Sequence, residues 1–349
     1  MKAIDNNQLN HWFLKQRRAL PWRESSSPYA VWVSEVMLQQ TQVSVVIPYF
    51  LRWMELFPSV KTLAEAPLEA ALKAWEGLGY YSRVRRLHEG ARYLVRHHNG
   101  ALPSNKKELS KVKGIGPYTI GAILSFAFQQ RAVAVDGNVM RVLCRFWGIE
   151  SEVDRVATKQ KVELTLEGQL PAKQPWVAME ALIELGALVC QRIPRCSRCP
   201  LRSSCAARKE GKELTLPRKK RRAKTTLLHR LVAVIYTKSA LLLRCGKQGK
   251  VMEGLWEFPY LELTQKPSGD MKIKVTSKFP IALTYQRALP QLSHTFTRFR
   301  AILYPELWLS ESKAAVPGYQ WIAVDDLKQC SFSSGHRRIL HHWLTMKDM

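Results

Sequence analysis

Three groups of residues in this 349-residue chain have types and spacings suited to chemistry. The sharpest is Cys190-x5-Cys196-x2-Cys199-x5-Cys205, with Pro200 after the third cysteine. Four thiols packed this closely are metal ligands. Zinc ribbons usually carry two Cys-x2-Cys pairs a dozen or more residues apart. A single Cys-x2-Cys flanked by one cysteine on each side instead suits a compact cuboidal iron–sulfur cluster. Such a cluster stapling a loop is its plainest role. The second group is Asp136, in Val135-Asp136-Gly137-Asn138, and the third is Glu35, in Val31-Trp32-Val33-Ser34-Glu35-Val36-Met37-Leu38. A carboxylate among bulky apolar neighbours resists ionisation, so Glu35 should hold its proton near neutral pH and act as a general acid.

These groups need elements to position them. Ser104 is expected to open a short helix that Gly114-Ile115-Gly116 breaks with a turn. Pro117 then fits the first position of a new helix, with Ile120, Ile123, Leu124, Ala127 and Phe128 on one buried face. Two helices joined by Gly-Ile-Gly leave N–H groups at a helix N-terminus, a seat for phosphate. Asp136 precedes another helix, with Val139, Val142, Leu143, Phe146 and Trp147 on one side. Each piece also has a plain reading: a tight corner for the glycines, an N-cap for Asp136, a surface carboxylate for Glu35.

Net charge is +26, from 54 Lys and Arg against 28 Asp and Glu, which points to a polyanionic partner, nucleic acid first. No apolar run approaches the ~20 residues of a membrane span, and Met1 to Asn7 has no secretory signal. Seven cysteines, four of them clustered, do not form a secreted disulfide framework, so a reducing compartment is expected.

Leu9, Trp12 and Phe13 mark an amphipathic helix ended by Leu20-Pro21-Trp22-Arg23, and Pro28-Tyr29 begins the helix of Glu35. Gln39 and Gln40 close it with amides suited to base edges or simply to water. Pro48 is expected to kink or restart the next helix. Gly77-Leu78-Gly79-Tyr80-Tyr81, followed by Arg83, Arg85, Arg86 and His88, suits either a wedge pushed into a DNA stack or a pair of core tyrosines. Pro217 to Lys224 is a basic run in a linker. From Leu228 the period becomes that of strands, at Leu231–Tyr236, Ala240–Arg244, Phe299–Trp308 and Gln320–Ile322, with a closing helix from Gly335 to Leu344.

Val112-Lys113-Gly114-Ile115-Gly116-Pro117-Tyr118-Thr119, followed by Val135-Asp136-Gly137-Asn138-Val139, resembles the helix-hairpin-helix and Gly/Pro-Asp signature of base-excision glycosylases. Leu20 to Arg23, Pro28-Tyr29, Val31 to Thr41, the Gly77–Tyr81 run, Met179 to Ala187 and the cysteine loop resemble the MutY family of adenine DNA glycosylases, over about residues 9 to 345. The resemblance implies a mainly α N-terminal glycosylase fold and a C-terminal α+β Nudix-like domain. The expected boundaries are a catalytic domain at 1–211, a basic linker at 212–227 and a lesion-recognition domain at 228–349. It implies one 4Fe–4S cluster on Cys190, Cys196, Cys199 and Cys205, although the family's usual first gap is six residues and here it is five.

The same resemblance makes Glu35 the catalytic acid and Asp136 the stabiliser of the sugar cation. Tyr118 stands where lyase-competent relatives carry a Schiff-base lysine, so strand cleavage should be weak. Trp22, Arg23 and Glu180 would read the flipped adenine, Gln39 and Gln40 the lesion pair, Tyr80 would intercalate, and Gly114 and Gly116 would hold phosphate. The lesion loop would be Ser293 to Arg298, where Phe296-Thr297-Arg298 replaces the family's Phe-Ser-His. Tyr260 to Lys274 lacks the Glu-rich run of Nudix hydrolases, which argues against a second hydrolase activity. The expected partner is double-stranded DNA with A:8-oxoguanine or A:G mispairs, met by a monomeric, cytoplasmic and, in a bacterium, nucleoid-associated protein. The rivals are a bifunctional glycosylase/lyase of endonuclease III type and a non-enzymatic DNA-binding protein stapled by metal.

Overall fold

The structure, a computed structural model, describes residues 1–24, 27–220, 225–267 and 272–347. The chain forms two compact units, Met1–Glu65 with Arg86–Arg221, and Ala66–Arg85 with Arg222–Met349.

The first unit is built from helices. Its innermost is Pro28–Leu38, opened by the Ser27 hydroxyl, which accepts the Ala30 N–H at 3.1 Å, and by Pro28 in the first turn. Every residue from Tyr29 to Met37 is buried, as expected of a helix apolar on nearly all sides. Glu35 therefore has no solvent face to turn toward. The next helix, Val43–Leu56, runs through Pro48 as one element, so the chain does not restart there. The missing N–H costs one helical bond, which burial of Val46, Phe50 and Trp53 outweighs.

Asn105, not Ser104, caps the short helix Lys106–Leu109, its side chain accepting the Glu108 N–H at 2.9 Å. Gly114 then turns with φ +83°, and a Cβ there would lie 3.1 Å from that of Arg86, so both backbone and space demand glycine. Gly116 caps the helix Pro117–Ala122. The regular spacing expected beyond it gives way to a π-helical turn over Ile123–Ala127. Ile120, Ile123 and Leu124 are buried, but Ala127 and Phe128 only partly, because the wider turn rotates them out of register. At Gly121 a Cβ would fall 1.9 Å from the Val133 carbonyl. This close approach brings residues 133–135 against the helix and sets Asp136 at the start of Gly137–Trp147.

Among the described residues the second unit carries eight strands: β1 Thr226–Tyr236, β2 Ala240–Cys245, β3 Trp256–Glu257, β4 Tyr260–Leu263, β5 Leu283–Ala288, β6 Leu292–Phe296, β7 Phe299–Ser310 and β8 Gln320–Ala323. The order is β3-β2-β1-β7-β5, with β4 also on β1, β6 on β7 and β8 on β2. β1 runs parallel to β7 from Thr226↔Phe299 to Tyr236↔Leu309. Val232 and Val234 pack with Leu340 and Trp343 of the helix Ser334–Lys347, while Leu231, Ala233 and Ile235 pack with Val275 and Phe279 on the other face. Burial on both faces explains the unbroken apolar run in β1.

The compact units bring together segments that are apart in sequence. Residues 212–220 are no free linker: Leu216 is buried, Arg218 pairs with Glu150 at 2.7 Å, and the Lys220 N–H reaches Asp154 at 2.9 Å. Residues 221–224 of the basic run lie outside the described residues. Ala66–Arg85 belongs with the C-terminal unit, because Lys73, Glu76 and Tyr81 bond to Cys330, Phe332 and Arg337.

Candidate active site

A cavity of about 1620 Å³ opens in the first unit, and Glu35, Tyr118 and Asp136 all line it. So do Trp22, Arg23, Gln39, Gln40 and Glu180. Residues separated by more than a hundred positions thus converge on one space.

Glu35 is 8 % exposed, and the Tyr118 hydroxyl donates to its Oε2 at 2.6 Å. Burial pushes its pKa from the ordinary 4.5 up to about 7; the tyrosine bond pulls it back in part, while Asp136 and Glu180 push the same way as burial. Burial, with Glu35 and Asp136 close by, raises the Tyr118 phenol well above its usual range, so it remains a donor. Glu35 is therefore the carboxyl group that still holds a proton in a large share of molecules near neutral pH.

Asp136 is an N-cap and also faces the cavity. Its Oδ1 accepts the N–H groups of Asn138 at 2.9 Å and Val139 at 2.7 Å, and Oδ2 accepts the Asn138 amide at 2.8 Å. Burial raises its pKa, and these three donors with Arg141 act against that rise. Two carboxyl groups, Glu35 buried and Asp136 partly buried, stand here in contrasting settings. Glu35 meets one hydroxyl; Asp136 meets three N–H donors that favour the anion.

Asn138 and Arg141 escaped sequence reasoning. The Asn138 side-chain Oδ1 accepts from Arg141 at 2.8 Å, and Arg141 donates to the Cys190 backbone carbonyl at 2.7 Å and that of Gly186 at 2.9 Å. A polar chain thus runs from Asp136 to the first cysteine. Its signal was present only as an Asn two residues after the acid.

Glu184, fully buried, was also missed. It binds Arg18 at 2.7 Å and Arg23 at 3.0 Å, and although burial opposes the charge these partners hold its pKa below the usual value. Arg23 also pairs with Glu180 at 3.0 Å and donates to the Arg18 carbonyl. Arg23 and Glu180 therefore reach the cavity as an ion pair. Trp22 is buried edge-on against Phe50, with ring centroids 5.4 Å apart. Gln39 caps its helix, and Gln40 follows at φ +61°, exposed.

Other expected site residues do not line this cavity. Gly116 stands exposed at the hairpin, and a Cβ there would meet nothing within 4 Å. Tyr80, Phe296 and Thr297 belong to the second unit. The tyrosine pair divides: Tyr80 is 47 % exposed at φ +50°, whereas Tyr81 is buried and donates to the Phe332 carbonyl at 3.0 Å. The expected lesion loop is largely strand, since Ser293 to Phe296 belong to β6 and only Thr297-Arg298 forms the turn into β7. Alternation sends His294 inward, where burial pushes it down to about 4, and leaves Phe296 half-buried beside Phe299. Thr297 holds φ +48°, a costly conformation for a β-branched residue.

The four cysteines line one small pocket of the first unit, beside Leu201 and Pro194. Buried Arg145 organises it, donating to the carbonyls of Leu216, Gln191 and Arg192 and to the Cys190 Sγ at 3.4 Å. Arg192, Arg195, Arg198 and Arg202 are exposed on the same loop.

Residues 33–171 match the model of the HhH-GPD superfamily of base excision DNA repair proteins, and residues 231–342 match the NUDIX domain. A human protein named adenine DNA glycosylase is 32 % identical over 395 residues, covering 94 % of this chain and 72 % of the relative. The chain belongs to the adenine DNA glycosylase family. Its membership makes it a DNA glycosylase of base excision repair. A Buchnera aphidicola adenine DNA glycosylase is 41 % identical over 190 residues, covering 54 % of each chain. The structure of a trapped endonuclease III–DNA covalent intermediate aligns with a TM-score of 0.52 and 25 % identity, over 59 % of this chain and 94 % of that one. The match to HhH-GPD and Nudix models supports the expected pairing of a helical glycosylase fold with a Nudix-like domain.

Proposed function

We propose that this member of the family removes adenine from duplex DNA where it lies opposite 8-oxoguanine or guanine. The observation that carries the reading is the pairing in one cavity of a carboxyl group that keeps its proton with a carboxylate held by three N–H donors. Adenine, flipped from the stack, enters the cavity between these groups. Glu35 gives its proton to N7, so that the base leaves neutral, and Tyr118 orients the acid. Asp136 faces the sugar and stabilises the oxocarbenium charge until a water molecule adds to the anomeric carbon and gives up a proton, which completes the hydrolysis. The Arg23–Glu180 pair and Trp22 shape the adenine pocket. Tyr80 enters the duplex as a wedge, Gly114 and Gly116 seat a phosphate, and Gln39 and Gln40 meet the opposite strand. The strained Thr297 turn, beside Phe296, reads the damaged base through its hydroxyl and backbone. The protein acts as a monomer, and the three parts of the chain serve as catalytic domain, connecting segment and lesion reader.

Cys190, Cys196, Cys199 and Cys205 would hold a 4Fe–4S cluster. The donor set fits: four thiols around one pocket with a buried guanidinium turned toward Cys190 Sγ suit an anionic thiolate cluster. The group supplies a structural staple. Arg145 fixes the loop on which the five-residue first gap lies, and Arg192 to Arg202 present cations to phosphate. Purified protein should carry about four irons per chain; active protein with stoichiometric zinc instead would contradict the assignment. No helix among the described residues is long and apolar enough to cross a membrane.

The experiment that tests the substrate uses duplexes with A:8-oxoguanine, A:G and C:8-oxoguanine, followed by alkali. Cleavage of the first two at adenine, and not of the third, is expected. Tyr118→Lys tests the lyase question separately. An amine at this position attacks the sugar and forms a Schiff base, so borohydride should trap the variant on DNA far more than the parent. Equal trapping would show that another lysine, such as Lys113, already performs that step.

A further inference from the structure

The loop that carries Tyr80 is tied to the closing helix of the C-terminal unit by one charged clasp. Glu76, just before the loop, accepts the Phe332 N–H at 2.7 Å, the Arg337 Nε at 2.8 Å and the Lys73 ammonium at 2.9 Å. Arg337 also engages Glu76 through Nη2, donates from the same nitrogen to the Cys330 carbonyl at 2.9 Å, and lies over the Phe332 ring at 5.0 Å. Just after Tyr80, the Tyr81 hydroxyl donates to the Phe332 carbonyl. Both ends of the loop are therefore anchored on residues 330–337.

Between the anchors the turn is under constraint. Gly77, Gly79 and Tyr80 all have positive φ, and for Tyr80 that conformation is unfavourable and needs support. Arg83 gives it, donating to the Gly79 carbonyl at 3.1 Å while its guanidinium lies 5.4 Å from the Tyr80 ring, and Trp75 Nε1 donates to the same carbonyl. The ring is thus held outward before any DNA is met.

We propose that Arg337, acting through Glu76, is a positioning residue that keeps Tyr80 ready to enter the duplex. The proposal rests on the reading of Tyr80 as a wedge. It makes the wedge a part of the lesion-reading unit, although by sequence it sits among catalytic-domain helices. Glu76 and Arg337 touch neither cavity nor base. They act by lowering the number of conformations the loop must give up on binding.

The test combines two readouts on the full-length protein. The first is amide hydrogen exchange over residues 77–83 in the free protein. The second is the fluorescence of 2-aminopurine beside 8-oxoguanine, in a duplex whose opposite position is a tetrahydrofuran that has no base to lose. Wild-type binding should raise the fluorescence by unstacking, and Tyr80→Ala should lose most of the rise. Arg337→Met should speed loop exchange about tenfold and lose more than half of the rise, with β1 and β7 amides still protected. Arg337→Lys, which keeps the charge but not the fork, should recover part of both. Should Arg337→Met unfold the unit, Glu76→Gln keeps an acceptor for the Phe332 N–H and is expected to shift both readouts the same way. Wild-type exchange and a wild-type fluorescence rise in these variants would overturn the clasp alone. An undiminished rise in Tyr80→Ala would overturn the wedge reading and the clasp with it.

Discussion

Glu35→Gln should slow single-turnover release of adenine by about 10²–10⁴-fold, the usual worth of a positioned acid, while leaving lesion-duplex affinity within about tenfold. Glutamine fills the same space and can still accept from Tyr118, so the change removes the proton and little else. The substitution should also alter stability in a direction fixed by the raised pKa of Glu35. The folded protein holds that proton up to about 7, whereas the unfolded chain releases it near 4.5. Between those values the unfolded state binds fewer protons, so wild-type stability falls as pH rises, and above about 7 the loss is complete. Glu35→Gln escapes this loss. Relative to wild type it should gain stability across that window and stay ahead at pH 8, by on the order of 3 kcal/mol, measured by denaturant unfolding at pH 5 and pH 8.

Asp136→Asn should be nearly as damaging, about 10²–10³-fold in the same assay, because it removes a fixed negative charge from the sugar side of the cavity. One oxygen of the new amide can still accept from Asn138 and Val139, but its NH2 would then face the Asn138 amide, donor against donor. The neutral group escapes the burial that raised the pKa of Asp136, which offsets that clash in stability. The loss should therefore appear in the chemical step rather than in folding or binding. Unimpaired single-turnover release would remove Asp136 from the mechanism.

Much of this site was legible because its signals are local. Four cysteines at fixed gaps, an acid inside an apolar helix and a Gly-Ile-Gly-Pro turn each announce themselves within a few residues. The partners of those groups were not legible. Glu184 looks like any helical glutamate until Arg18 and Arg23, more than 150 residues earlier, close on it. The Asn138 amide is ordinary until Arg141 ties it to the Cys190 carbonyl. The tyrosine pair offered two readings, core or wedge, and local sequence could not divide them: tertiary contacts bury Tyr81 and leave Tyr80 exposed.

The fold shows the same division. Period gave the strands from Leu231 onward and the closing helix, since burial of both faces of β1 and of one face of a helix writes itself into the sequence. No restart occurs at Pro48 because packing outweighs one lost bond, and the lesion loop misled because β-pairing with β7 claimed Ser293 to Phe296. The attachment of Ala66–Arg85 to the C-terminal unit rests on Glu76 meeting Arg337, and no local pattern encodes such a pairing.

The most direct measurement of the central claim is the pH dependence of single-turnover adenine release from an A:8-oxoguanine duplex. Glu35 acts in its protonated form, so the account predicts free adenine as product, with a rate that is level on the acid side and falls tenfold per pH unit above about 7. The descending limb should vanish from the residual activity of Glu35→Gln. A duplex left intact, or a rate that does not fall as pH rises from 6 to 9, would contradict it.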